Sequence, residues 1–254
     1  MAGRNMRFKC ALVTEGESGI GRALSEYLIS KGKKVLIAGH TQSKLHMTAK
    51  AIGAAGYYVL DTGSIPEIPA FIEMVTSEHP DLDCLINNSG VQRPLQVLGQ
   101  DADNFLTKAD QEIDVNIRGP MHLTVGLLPH LKAKPLAVIM NVSSVLGFVP
   151  FSIFNPVYNG TKAWLHFWSM NLRSQLKHTN VWVVEIAPPT IATDLHRDNR
   201  DDIKKDKKSN ALPLRQFIKE VSEKLEKGEE TIGAGMGDEI VNKWYGTFGD
   251  MYKD

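Results

Sequence analysis

The stretch "FKCALVTEGESGIGRALSEYL", Phe8 to Leu28, decides the reading of the whole chain. Its first part, Phe8 to Val13, is a short unbroken apolar run, as expected of a strand covered on both faces. A glycine-rich turn, Thr14 to Gly21, leads into a segment of helical spacing from Arg22 to Lys31, and Gly32 stands in a helix-stop position. A strand that turns through glycines into a helix sets backbone N–H groups and the positive helix end against a pyrophosphate. Taken alone, the pattern is as common in ordinary turns. This copy also carries two acids, Glu15 and Glu17. Turned outward, they merely weaken phosphate binding; turned inward, they oppose a 2′-phosphate and offer ribose hydroxyls an acceptor.

Working outward, strand-like runs recur at Lys34 to Gly39, Tyr57 to Asp61, Asp83 to Asn88, Ala137 to Ser143 and Val181 to Pro188. Between them lie helical patterns at Thr41 to Ala51, Pro66 to Glu78, Asn104 to Lys132 and Tyr158 to Lys177. This alternation predicts an α/β fold, a doubly wound parallel sheet of Rossmann type. A single domain over residues 1–254 is expected, with no repeats and no linker. The charged run "RDNRDDIKKDKKSN", Arg197 to Asn210, reads as a solvated surface loop or as the hinge of a lid, and residues 192–215 are the candidate lid segment. An amphipathic helix, Leu214 to Lys227, follows it.

The totals narrow the function. Lysine plus arginine number 29 and aspartate plus glutamate 29, so no net field recruits nucleic acid or an anionic membrane. No apolar stretch approaches the roughly 20 residues of a membrane helix, and the N-terminus shows no cleavage-site pattern, so a cytoplasmic protein is expected. Cys10 and Cys84 each sit inside an apolar run, as reduced core thiols would. The eight histidines show no ligand spacing, and no metal is expected.

In a doubly wound sheet, ligands gather at the carboxyl ends of the strands. Three further patterns fall there. In "YNGTK", Tyr158 and Lys162 are four apart on one helix face, where an ammonium favours phenolate and brings the phenol toward an acid/base range. In "NVSSVLG", Ser144 follows a buried-looking strand and is placed to donate to a substrate carbonyl oxygen. In "DVNIRG", Asn116 sits inside an otherwise apolar helix and needs hydrogen-bond partners there. Each alone has an ordinary structural explanation: a surface lysine, a turn serine, an amide tying helix to sheet. Together they converge on one edge of one sheet.

With these motifs in this order, together with "LDT" at Leu60 to Thr62, "NNSG" at Asn87 to Gly90 and "APPTIAT" at Ala187 to Thr193, the chain resembles the short-chain dehydrogenase/reductase family over nearly its whole length. The resemblance implies Tyr158 as general acid/base, Lys162 lowering its pKa and holding a ribose, Ser144 polarising the substrate oxygen and Asn116 positioning a water that connects Lys162 to solvent. It implies cofactor contacts from Thr14, Gly16, Ser18, Gly19, Ile20, Gly21, His40, Thr41, Asp61, Thr62, Asn88, Gly90, Tyr158, Lys162, Pro188, Thr190, Ile191 and Thr193. The chain departs from the family at Glu15, where the first glycine is usual, at Pro189, also in place of glycine, and in a Ser144-to-Tyr158 spacing longer by one residue.

Gly39 stands where an acid would mark NAD(H), and His40, Thr41, Gln42 and Lys44 follow as donors, so NADP(H) is the expected cofactor and NAD(H) the other candidate. The expected reaction is reduction of a carbonyl, or oxidation of an alcohol, on a small substrate. Val91, Leu146, Phe148, Phe151, Ile153, Phe154, Ile191 and Leu195 suggest an apolar lining. Two other classes stay open: a lyase, isomerase or dehydratase using the same residues, and a nucleotide-binding regulatory protein without turnover. Apolar residues on more than one helix face, including Trp164, Phe167 and Trp168, predict a homodimer or homotetramer.

Overall fold

In the computed structural model, which describes residues 3–99, 101–193 and 211–252, seven parallel strands form one sheet. They are β1 (Cys10–Thr14), β2 (Lys34–Gly39), β3 (Gly56–Val59), β4 (Leu82–Asn87), β5 (Ala137–Val142), β6 (Val181–Ala187) and β7 (Thr231–Gly233). Their order across the sheet is β3-β2-β1-β4-β5-β6-β7. The chain winds outward from β1 in one direction and from β4 in the other, so the ends of these two strands flank a crevice at the switch point.

Alternate side chains feed two cores. On one face Ala11, Val13, Val35 and Ile37 pack with Leu24 and Leu28 of α1 (Gly19–Ser30) and with Phe217, Val221 and Leu225 of the helix Leu214–Lys227. On the other, Leu12, Leu36, Leu85 and Ile139 meet residues of Ile68–Glu78, Gly119–Lys132 and Pro156–Leu176. Each fully buried Leu, Ile or Phe removes enough apolar surface to contribute about 1.5–3 kcal/mol. The two cysteines are free and buried, and they point into opposite cores. Among the described residues, no helix is long and apolar enough to cross a membrane.

In chain order the remaining helices among the described residues are α2 (Gln42–Ile52), α3 (Ile68–Glu78), α4 (Ala102–Ile113), α5 (Gly119–Lys132), α6 (Pro156–Leu176), α7 (Leu214–Lys227) and α8 (Met236–Phe248). The single helix expected over Asn104 to Lys132 is divided by a π turn, Asp114–Arg118, which carries Asn116. Sequence periodicity did not separate β7 and α8, because a three-residue strand has no measurable period. A buried polar chain fixes α5 and α6 on the sheet. Asn87 Nδ2 donates to Thr124 Oγ1 (3.0 Å) and Asn141 Oδ1 (2.8 Å), and Asn141 Nδ2 donates to Ser169 Oγ (2.9 Å). Of the candidate lid, residues 194–210, with Leu195 among them, lie outside the described residues; Leu212 forms a parallel bridge back to Ile191.

Candidate active site

The glycine-rich turn is held from behind by β4. Thr14 Oγ1 accepts from the backbone N–H groups of Asn88 (2.9 Å) and Ser89 (3.0 Å), while Asn88 Nδ2 donates to Thr14 O (3.0 Å). Gly21 is required by close approach: a Cβ there would lie 2.5 Å from Asn88 Nδ2 and collide with the Glu15 carbonyl. The helix after the turn starts with Ser18, Gly19 and Ile20. Ser18 makes no side-chain cap, so the first-turn N–H groups face the crevice without that competitor. Thr193 reaches this point from beyond β6, its Cγ2 3.6 Å from where a Gly19 Cβ would stand.

Both glutamates turn inward. Glu15 has φ +51°, a backbone region that favours glycine, and its Oε2 accepts from Gly90 N (3.2 Å) across the crevice. Glu17 is 6 % exposed and lies over Gly39, where a Cβ would fall 2.6 Å from its carboxyl carbon. Burial raises the pKa of both carboxyls; the Gly90 N–H and the charges of His40 and Lys162 pull Glu15 down while Glu17 pushes it up, and its own backbone N–H, then His40 and Lys44, pull Glu17 down.

At the other end of the crevice, Ser144 follows β5, and Tyr158 and Lys162 occupy the first turns of α6. All three are buried. Lys162 Nζ lies 5.5 Å from the Tyr158 ring centre and donates to Val142 O (2.9 Å). A Cβ on Gly90 would be 3.4 Å from Lys162 Nζ and 3.5 Å from Asn116 Oδ1, so the two halves of the crevice meet there. Both N–H donors of the Asn116 amide are used: Nδ2 donates to Val91 O (2.9 Å) and Thr161 Oγ1 (3.1 Å), while Oδ1 accepts from Val91 N (2.9 Å). Its side chain ties helix to loop, and the π turn, a geometry frequent at functional sites, loosens the backbone around it.

The electrostatics differ from the sequence expectation. Tyr158 is not drawn toward neutrality: burial and the charge of Glu112 push its pKa up, the Ser144 hydrogen bond works in the opposite direction, and Glu15 adds to the rise. Lys162 is lowered to about 8 by burial, with Glu15 and Glu112 holding it up. The amine therefore loses most of its charge above that pH.

Glu112 is the residue sequence reasoning missed. It is fully buried, its Oε2 accepts from Arg93 N (3.0 Å), and its Oε1 has no partner among the described residues. Desolvation raises its pKa to about 7. The signal was present, since Glu112 precedes Asn116 by one helical turn and shares its face. A second buried group lies behind the serine: Ser143 Oγ donates to Glu185 Oε1 (2.5 Å), and His166 Nδ1 stands 2.9 Å from Glu185 Oε2.

Other expected contacts are engaged locally. Asp61 Oδ1 accepts from Gly63 N (2.9 Å), and the Thr62 carbonyl lies 2.5 Å from where a Gly119 Cβ would be. His40 is exposed with Nδ1 3.0 Å from Thr41 Oγ1. The Pro188 carbonyl accepts from Val145 N (3.0 Å), the Thr190 carbonyl from Leu212 N (2.9 Å), and Ile191 is core. Phe148 is core as well, its ring centre 3.9 Å from that of His166 and tilted 39° to it, whereas Phe151, Ile153 and Phe154 are exposed. Leu146 and Ile153 border a concavity of about 470 Å³ on the outer side of α6, beside Asn159 and Ala163 rather than Tyr158.

The family model for short chain dehydrogenase matches residues 9–204. The oxidoreductase DltE of Bacillus subtilis (strain 168) is 32% identical over 221 residues, 87% of this chain and 86% of that protein. The short-chain dehydrogenase RED1 of Pyricularia oryzae is 32% identical over 216 residues, covering 84% and 73%. Among solved structures, a short-chain dehydrogenase from Sphingobium yanoikuyae in complex with NADPH superposes with TM-score 0.82 at 20% identity, over 96% of this chain and 93% of that one. A short-chain dehydrogenase/reductase from Burkholderia phymatum in complex with NAD gives 0.81 at 18%, over 98% and 97%. The strand order, the glycine turn at the switch point and the matching family model together make this chain a member of the short-chain dehydrogenase family.

Proposed function

We propose that the protein is a nicotinamide-dinucleotide-dependent oxidoreductase that reduces a carbonyl, or oxidises an alcohol, on a small and largely apolar substrate. The observation that carries this reading is the buried cluster of Ser144, Tyr158 and Lys162 meeting Gly90 at the crevice. The crevice suits such a cofactor: an uncapped helix start, a turn whose Gly16 and Gly21 leave no room for a side chain, and a buried carboxylate oxygen without a partner among the described residues. Thr14, Gly16, Ser18 to Gly21 and Thr193 would surround the pyrophosphate, with Gly90, Tyr158 and Lys162 toward the nicotinamide ribose. When bound, the dinucleotide donates or accepts the hydride.

The protein's own part is proton chemistry. Ser144, held at 3.2 Å by Leu146 N–H, presents its hydroxyl to the substrate oxygen beside the Tyr158 phenol. Tyr158 delivers its proton to that oxygen in reduction and takes one in oxidation; a phenol with a raised pKa holds its proton at neutral pH, ready to donate. Lys162, lowered to about 8, loses and regains a proton near physiological pH and so can resupply the phenol. Asn116 fixes the Val91 loop against α6 and thereby sets the floor of the substrate site.

Titration with NADH and NADPH, followed by a screen of ketones, aldehydes and alcohols, tests this reading. Binding of neither cofactor rejects it. The donors that pointed to NADP(H), His40, Thr41 and Lys44, remain near the end of β2, but Glu17 now opposes them. A second reading, a nucleotide-binding regulator with little turnover, is favoured by the Glu15 carboxylate lodged on Gly90 N–H, and cofactor binding without turnover in that screen would select it. We also propose self-association through the outer face of α6, where Phe167 is 51 % exposed; light scattering that finds only monomer rejects it.

A further inference from the structure

We propose that Glu17 takes over the selecting role that Gly39 cannot perform, its carboxylate accepting the adenosine-ribose hydroxyls of NAD(H) and repelling the 2′-phosphate of NADP(H). The inference rests on the dinucleotide reading above and reverses the cofactor preference expected from sequence.

In dinucleotide-binding sheets, an acid after the second strand takes the ribose 2′-hydroxyl. Gly39 occupies that place here and has no side chain. Its missing side chain is replaced in space by Glu17. A Cβ at residue 39 would stand 2.6 Å from the Glu17 carboxyl carbon and nearer still to both carboxyl oxygens, so the acid group lies where an aspartate on β2 would begin. The loop that carries it is tied down from α2, where Thr48 Oγ1 donates to Glu17 O (3.2 Å).

A second observation points to a missing donor. Glu17 is 6 % exposed, and its Oε2 is buried with no hydrogen-bond partner among the described residues. A buried acceptor left unpaired is costly, and native structures seldom tolerate one without a reason. Two ribose hydroxyls are donors of the right kind. A phosphate, carrying nearly two negative charges and mainly acceptors at neutral pH, has the wrong chemistry for that oxygen.

The surrounding charges are of both signs. His40 and Lys44 face Glu17 and favour its ionised form, Glu15 repels it from the same loop, and Arg22 and Lys44 share with it the cleft between α1 and α2. The cations thus favour the carboxylate against burial, which raises its pKa, and ribose hydroxyls donating to it would favour the same ionised form.

The test measures binding, not turnover. NADH and NADPH are titrated separately into the full chain, with the nicotinamide fluorescence giving Kd. The wild type is expected to hold NADH more tightly by on the order of tenfold. Glu17→Gln keeps the shape and removes the charge, and should narrow that ratio by about tenfold, chiefly by strengthening NADPH. The double variant Glu17→Gly/Gly39→Asp moves the acid from loop to strand and should restore the preference for NADH, which a mere change of loop shape would not do. A wild type that prefers NADPH, or an unchanged ratio in Glu17→Gln while both cofactors bind, overturns the role of Glu17 alone. Failure of the wild type to bind either form overturns the dinucleotide reading and this inference with it.

Discussion

The two ends of the crevice are built on opposite plans. At the reactive end, Ser144, Tyr158 and Lys162 keep the expected residues, and the surprise is in their surroundings: a fully buried Glu112 and an amine lowered to about 8. At the adenosine end the motif itself is altered, with Glu15 in a left-handed conformation and Glu17 over Gly39, while the scaffold of Thr14 and Asn88 behind it is intact. The contrast teaches that a loop can exchange the groups it presents while its anchoring is preserved. The buried cluster of Ser144, Tyr158 and Lys162 has less freedom, because its geometry and its charges must change together.

The sharpest way to break this comparison is Tyr158→Phe. Loss of the acid should reduce turnover by about 10²–10⁴-fold, with Kd for the dinucleotide nearly unchanged; retained turnover would remove Tyr158 from the reaction.

Glu112→Gln probes the surroundings instead of the cluster. Because the folded pKa, about 7, lies above the ordinary 4.5, the folded state binds this proton more tightly than the unfolded state. Ionising Glu112 therefore costs nothing below pH 4.5, costs progressively more up to about pH 7, and a constant amount above it. Between pH 4 and pH 8 the unfolding free energy of the variant should gain on that of the wild type by at most about 3 kcal/mol, as urea unfolding would measure. A parallel pair of curves would show that Glu112 is not a strained acid. In the same variant the pKa of Lys162 should fall further, moving the alkaline limb of the pH–rate profile to lower pH, since one of the charges that holds it up is gone.

At the adenosine end, Glu15→Gly removes both a charge and an unfavourable backbone angle. Dinucleotide affinity should rise by about tenfold, and stability by about 1 kcal/mol; unchanged affinity would mean that the carboxylate does not stand in the cofactor's way. The smallest effect is expected of Asp61→Ala. Its carboxylate caps a turn by accepting from Gly63 N, so stability should fall by about 0.5–1 kcal/mol, and a loss of affinity greater than a few-fold would restore the adenine contact implied by the family resemblance.

Much of this was legible in the chain. Short unbroken apolar runs alternating with helical spacing gave the six longer strands within a residue or two, because a strand buried on both faces must be apolar throughout. The four-residue interval from Tyr158 to Lys162 placed both side chains on one face of α6 for the same geometric reason. The roles of individual polar groups were harder to read. Asp61 and Asn88 look like ligands in sequence, and in the fold each also makes a hydrogen bond to neighbouring chain that spacing alone does not disclose. Asn116 was read as an amide in need of partners, and the structure names them as Val91 and Thr161.

Sequence by itself determined the layered sheet, the switch-point crevice and the placing of Tyr158 and Lys162 on one helix face, since these follow from local periodicity and from spacing along a single helix. Only the tertiary structure decided where Glu15 and Glu17 point, that Gly39 is covered by an acid from another loop, and that burial lifts Tyr158 while lowering Lys162. Those properties depend on which atoms from distant parts of the chain share a small, poorly hydrated volume. Neither desolvation nor Coulomb energy can be summed before that volume is formed.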